Sequence, residues 1–169
     1  MRAFRKTVLN YYRRHGRRLP WRETDDPYKI LVSEIMLQQT QVSRAILFYE
    51  RFVRAFPSVR ALARAPLQKV LRLWQGLGYN RRALFLKGAA EAIVRKHGGE
   101  VPRDVEKLDA LHGIGRDTAA AILAYGWNES VVFVETNIRA IFIHHFFPRR
   151  KKVRDAEILE LVKQTLPVK

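Results

Sequence analysis

A chain of 169 residues with 47% hydrophobic and 11% aromatic residues can bury a core of one medium domain or two small lobes, which excludes a disordered tail. Lysine and arginine number 32 against 16 acidic residues, a formal charge of +16, so the partner expected from charge is a polyanion: DNA, RNA or an anionic membrane surface. The absence of cysteine excludes disulfides, thiolate-bound zinc and an iron–sulfur cluster ligated by these residues.

Residues 3–15 read as an amphipathic helix, with Phe4, Val8, Leu9, Tyr11 and Tyr12 set among cations and Gly16 placed to end it. No apolar run approaches the roughly 18 residues that span a bilayer, and no apolar core with a cleavage site follows the basic N-terminus, so neither a membrane segment nor a secretory signal is expected. A polar loop with a Leu19-Pro20-Trp21 anchor follows. Asp26-Pro27 then reads as an N-cap with proline at the first helical position. The helix it opens carries Ile30, Leu31, Val32, Ile35, Met36 and Leu37 and is apolar nearly all round, the mark of a buried helix. Glu34 sits in its middle, either solvated at the edge of the apolar face or desolvated with a raised pKa.

Further helices are expected at 42–56 (stopped by Pro57), 58–64, 67–74 and 81–97 (ended by Gly98-Gly99). The stretch from Leu108 to Ala120 has the core Leu111-His112-Gly113-Ile114-Gly115, followed by Thr118-Ala119. Gly113 and Gly115 are expected to take backbone conformations that a Cβ hinders, and Thr118 to open a second helix. A helix-hairpin-helix results, spanning about 104–125, and free N–H groups at the start of its second helix suit a phosphate oxygen. A turn at Gly126-Trp127-Asn128 precedes the run Val131–Val134, which can be extended. Asn137 is placed to cap a helix through Phe146, Pro148–Lys152 forms a basic loop, and a last amphipathic helix at 153–166 is ended by Pro167. Periodicity gives an all-α fold. His144 and His145 point about 100° apart on a helix and lack a third ligand, so they read as structural or surface residues.

Several segments, in this order, carry a wider pattern: Leu19–Arg22, Pro27-Tyr28, Ser33–Val42 (SEIMLQQTQV), Trp74–Tyr79 (WQGLGY), Leu111–Gly115 with Thr118-Ala119, and Glu135–Asn137. Over about residues 17–147 the chain resembles the helix-hairpin-helix (HhH-GPD) DNA glycosylase superfamily of endonuclease III, most closely its adenine-specific mismatch (MutY-like) branch. The resemblance implies an all-α fold of two helical lobes flanking an active-site cleft, here with a shortened C-terminal part. Residues 25–135 would form a barrel-like lobe holding the hairpin at 108–125, and residues 1–24 plus 136–169 a second, incomplete lobe of the same unit.

It also implies roles. Glu34 matches the acid that protonates the adenine leaving group, Glu135 the anion beside the oxocarbenium-like sugar, and Asn137 a neighbouring active-site amide. Gln38 matches the side chain that wedges into the base stack. The DNA-facing set is Arg22, Gln38, Gln39, Thr40, Tyr79, Asn80, Arg81, His112, Gly113, Ile114, Gly115, Arg116 and Thr118. Backbone carbonyls of Leu111, Gly113 and Ile114 match the seat of a monovalent cation. The implied partner is double-stranded DNA with a mismatched or damaged base, handled by an intracellular monomer.

The chain departs from the pattern in four places. Glu135 replaces an aspartate, Asn80 replaces an intercalating tyrosine, and Asp117 stands where bifunctional members carry a Schiff-base lysine, so no lyase step is expected. The four-cysteine cluster and the domain reading oxidised guanine have no counterpart in these residues. Helix 153–166, lacking its usual neighbour, is expected to expose an apolar patch. The activity expected is monofunctional hydrolysis of the N-glycosidic bond of adenine opposite G or 8-oxoguanine. A thymine or uracil glycosylase acting on G mismatches, and a non-catalytic DNA-binding module, are the alternatives.

Overall fold

The computed structural model describes residues 1–166 and forms only helices, turns and loops, with no strand among those residues. In chain order the helices are α1 (Arg2–His15), α2 (Pro27–Leu37), α3 (Val42–Ala55), α4 (Val59–Arg64), α5 (Leu67–Trp74), α6 (Arg81–His97), α7 (Val105–Asp109), α8 (Arg116–Trp127), α9 (Thr136–Phe146) and α10 (Asp155–Thr165), with one 3-10 turn at Pro20–Arg22. Two compact units result, Leu19–Glu129 and a smaller one joining Met1–Arg18 to the segment from Ser130 onward.

In the larger unit α2 is central. Asp26 starts it as expected: the carboxylate accepts from Tyr28 N–H at 3.0 Å and Pro27 supplies the fixed φ of the first position. Seven of its side chains, from Tyr28 to Met36, are buried, and it packs against α3, α6 and α8. Each leucine or isoleucine taken fully from water there stabilises the fold by about 1.5–3 kcal/mol. Phe52, Phe56, Leu62, Trp74, Leu86, Ile93, Leu108 and Ile122 complete this core. The Tyr28 hydroxyl donates to the Phe56 carbonyl at 2.7 Å, and burial pushes its pKa up; burial, with Asp26 nearby, also pushes Tyr49 up to about 12.

Helix ends follow the sequence in most places, with physical differences at four. Gly98 ends α6 in the left-handed region at φ 61°, as a glycine stop does. Gly16 ends α1 in an extended conformation instead, its N–H bonded to the Tyr12 carbonyl at 2.7 Å. The turn expected at Gly126-Trp127-Asn128 is a continuation of α8, which stops when Asn128 takes φ 52°. The second hairpin helix opens at Arg116, two residues before Thr118, with Gly115 as N-cap. Asn137 is not a cap: α9 is capped by Glu135, whose side chain accepts from Ile138 N–H, and Asn137 lies within the first turn.

The smaller unit has its own core of Phe4, Phe142, Ile158 and Val162. Phe4 meets Phe142 edge-on at 5.1 Å between ring centroids, and Phe146 and His145 at 4.9 and 4.8 Å. Val131–Val134 is not a strand: Val132 and Val134 pack on this core, which explains an apolar run without a pairing partner. The exposed large apolar side chains among the described residues of this unit are Met1, Leu9, Tyr11 and Tyr12 of the N-terminal segment and Ile141 on α9, whereas α10, where exposure was expected, turns Ile158 and Val162 inward. Pro167, expected to end α10, lies outside the described residues.

Candidate active site

The larger unit brings the Gln38–Thr40 loop at the C-terminal end of α2 beside the turn that carries Tyr79 and Asn80. Glu34 opens the last turn of that helix, half-buried between the fully buried Ser33 and Ile35. One turn on, the helix stops at Gln38, and Gln39 follows with φ 53°. A non-glycine residue in that left-handed region is held at a cost of roughly 1–2 kcal/mol. Thr40 closes the turn, its N–H donating to the Leu37 carbonyl at 3.2 Å and its hydroxyl to the Gln38 carbonyl at 3.3 Å. Gln38 and Thr40 are half-buried and Gln39 is exposed.

The segment Gly76–Asn80 forms a second turn. Gly76 and Gly78 take φ of 98° and 87°, and Tyr79 takes 50°. Trp74 is fully buried, its indole N–H donating to the Gly78 carbonyl at 3.1 Å. Tyr79 is 63% exposed. Asn80 and Arg81 are also exposed, and Asn80 caps α6 without a side-chain bond.

Arg82 is the residue that sequence reasoning missed. It is buried, and its Nη1 donates to the carbonyls of Ile35 (3.0 Å), Met36 (2.9 Å) and Gln38, while Nη2 donates to the Thr40 hydroxyl (2.9 Å) and the Gly78 carbonyl (3.1 Å). Its guanidinium lies 5.6 Å from the Trp74 ring centroid and 5.4 Å from that of Tyr79. Burial pulls its pKa below the usual arginine value, while Tyr79 nearby acts in the opposite direction. A signal was present: Arg82 falls in register with Leu86, Ala89, Ala90 and Ile93, the buried stripe of α6, where a cation needs partners.

At the hairpin the two glycines prove unequal. Gly113 has φ 83°, and a Cβ there would sit 2.5 Å from Cβ of Phe85. Gly115 has φ −94° and open space where its Cβ would be, so the expectation of a special backbone holds for Gly113 only. The α8 N-terminus has no side-chain cap, and the N–H groups of its first turn are the donors available to an anion. Leu111 and Ile114 are buried, so of these residues only the backbone is presented; the Leu111 carbonyl accepts from Ile114 N–H at 3.1 Å. His112 is exposed with its ring edge-on to Phe85 at 4.4 Å, Arg116 and Asp117 are exposed, and Thr118 is half-buried. Arg22 is exposed on the 3-10 turn.

Glu135 and Asn137 belong to the smaller unit. Glu135 Oε1 accepts from Ile138 N–H at 2.8 Å and Oε2 from the Asn137 amide at 3.0 Å. Two donors and a helix N-terminus face the carboxylate, surroundings that stabilise negative charge. No group of three or more histidine, cysteine, aspartate or glutamate residues that could hold a metal occurs among the described residues, and the sequence has no cysteine to ligate a cluster.

The sequence model of the HhH-GPD superfamily of base excision DNA repair proteins matches residues 32–164. An adenine DNA glycosylase of Buchnera aphidicola subsp. Baizongia pistaciae is 40% identical over 145 residues, 85% of this chain and 41% of that protein, so the chain spans about two fifths of that relative's length. A thermostable thymine-DNA glycosylase superposes with a TM-score of 0.84 at 26% identity, covering 96% of this chain and 76% of that one. An endonuclease III trapped as a covalent intermediate with DNA superposes with a TM-score of 0.82 over 98% of this chain and 76% of that one, at 18% identity, a likeness of fold alone. With four fifths of its length matched by the family model and the same helical scaffold in solved structures, the chain belongs to the HhH-GPD superfamily of base excision DNA repair proteins.

Proposed function

We propose that this chain carries the catalytic part of a monofunctional DNA glycosylase that hydrolyses the N-glycosidic bond of an adenine opposite G or 8-oxoguanine. The observation that carries the reading is Glu34, a half-buried carboxyl on the central apolar helix one turn before the Gln38–Thr40 loop, in a segment similar to adenine glycosylases. Simple backbone binding has no use for that carboxyl.

In the reaction the target nucleotide leaves the stack and Gln38 fills the space. The Glu34 carboxyl gives its proton to a ring nitrogen of the departing adenine, so the base leaves neutral as the bond to C1′ breaks. Positive charge developing on the sugar is stabilised by the Glu135 carboxylate, which Asn137 and the α9 N-terminus hold in place. Water then adds to C1′ and loses a proton, leaving an abasic site in an intact strand. Asp117 offers no amine for a Schiff base, so the strand breaks only on alkaline treatment.

Phosphate oxygens are received by the N–H groups at the open start of α8, with Gly115 leaving room above them, and by the exposed Arg22, Arg81 and Arg116. Carbonyls of Leu111, Gly113 and Ile114 would hold a monovalent cation at this turn, where its charge would help to bind a phosphate oxygen. The chain acts as a monomer on duplex DNA inside the cell.

Single-turnover base release on duplexes carrying A opposite G, A opposite 8-oxoguanine, T opposite G and U opposite G tests the proposal. Release is expected on the adenine substrates, with strand cleavage only after alkali. It should fall at least a hundredfold in Glu34→Gln, while duplex affinity stays within threefold. Glu135→Gln keeps a cap acceptor and is expected to lose release without losing the fold. Release of T or U alone would assign the chain to the thymine-type reading, which the 26%-identical thymine-DNA glycosylase keeps in view. Silence on all four would leave a DNA-binding module.

A further inference from the structure

We infer that Arg82 is a positioning residue that locks the Gln38–Thr40 and Gly76–Asn80 loops into one register, so that the two segments nominated for DNA are presented as a single preformed surface. This rests on the proposed base release only for its functional readout.

The geometry has four parts. First, one guanidinium bonds five acceptors drawn from α2's last turn, the loop beyond it, and the Gly76–Asn80 turn. Second, the carbonyls of Ile35 and Met36 are among those that a helix leaves without an i+4 partner, at the negative end of its dipole, where a buried cation is favoured. Third, the two loops contain Gln39 and Tyr79, two of the three non-glycine residues with positive φ among the described residues, at 53° and 50°. Such conformations persist only where the surroundings over-determine them, and Arg82 bonds the carbonyl before Gln39, the hydroxyl after it and the carbonyl before Tyr79. Fourth, its Nε is buried without a hydrogen-bond partner among the described residues. That is a cost a stability-driven design would remove, and it indicates that the fork geometry of Nη1 and Nη2 is what the site needs.

The role is mechanical. A wedge works if it enters the stack already shaped, because loop ordering during flipping would be subtracted from the energy available to extrude the base. Lysine, with a point charge and three donors, cannot bridge both loops in the same plane.

Two measurements test this on the whole chain. In the first, Arg82→Lys is compared with the parent in single-turnover release from an A·G duplex and from a duplex with the same adenine opposite an abasic site, where less pairing and stacking must be broken. Release from A·G should fall tenfold or more while release opposite the abasic site stays within threefold; an equal fall on both would overturn the inference, since a general structural defect acts on both. In the second, thermal midpoints are read for Arg82→Lys in the parent and in a Gln39→Gly background. Glycine takes φ 53° without strain, so the midpoint loss should be clearly smaller in that background. Equal losses would overturn the coupling. Because the second measurement needs no catalysis, absence of release on every substrate would defeat the proposed function while leaving the role of Arg82 readable.

Discussion

Gly113 and Gly115 show how much a residue's reason for being glycine depends on what surrounds it. In the sequence they form a symmetric Gly-x-Gly pair. In the fold only Gly113 is constrained, by a left-handed φ and by Phe85 packed where its side chain would be. Gly113→Ala is expected to lose roughly 1–2 kcal/mol for the backbone conformation and about 1–3 kcal/mol for overpacking, read as a lower denaturant midpoint. Gly115→Ala should stay within about 0.5 kcal/mol in the same measurement, because nothing lies within 4 Å of its Cβ position. Its effect should appear in duplex affinity, since a methyl would stand over the α8 N-terminus; an Ala variant that binds as tightly as the parent would remove Gly115 from the phosphate seat. The motif was legible from the chain, but this division of labour was not, because Phe85 approaches the turn from a helix more than twenty residues earlier. Arg82 was hidden for a related reason. Its partners are mostly backbone carbonyls, which leave no mark in side-chain spacing.

Among the elements, apolar periodicity placed the helices, and local chemistry placed their starts where one residue had an unambiguous part, as at Asp26-Pro27. It erred where two neighbours competed for one part. Glu135 and Asn137 can each accept from a helix N-terminus; the longer glutamate reaches Ile138 N–H, and the asparagine becomes a donor to it. The start of α10 rests on a comparable arrangement: Glu157 reaches back to Arg154 N–H at 3.1 Å and accepts from the Arg150 guanidinium at 2.5 Å. These bonds, that from Arg150 first, hold its carboxyl down at about 2 against an ordinary 4.5. A depressed carboxylate pKa contributes stability that is present above the unfolded value and is lost as pH falls toward the folded one. The parent should therefore exceed Glu157→Gln in thermal midpoint by a constant margin above about pH 5, and the margin should close as pH falls toward 2. A margin independent of pH would mean that the glutamate acts by packing rather than by charge.

Across the whole molecule, the charge is distributed in a way the linear sequence conceals. The segments Met1–Arg18 and Ser130–Lys169 lie at opposite ends of the chain, yet belong to one unit because α9 and α10 share the core that Phe4 of α1 enters. Together they hold 15 lysines and arginines against four acids, +11 of the total +16, while the larger unit holds 17 against 12. Within α1, Arg2, Arg5, Lys6 and Arg13 line one face beside Leu9 and Asn10, and none of the four makes an ion pair among the described residues. A phosphate backbone meeting this face would release counterions, and the dependence of log K on log salt would steepen by about 0.9 for each phosphate neutralised. On lesion-free duplex, changing all four to glutamine should flatten that slope by at least 2. An equal loss of charge from the exposed Arg54, Arg64, Arg95 and Lys96 of the larger unit should change it by less than 1. If both variants flatten the slope alike, only net charge matters. If only the α1 variant does, the smaller unit supplies a lesion-independent grip on the backbone, leaving base selection to the larger unit's loops.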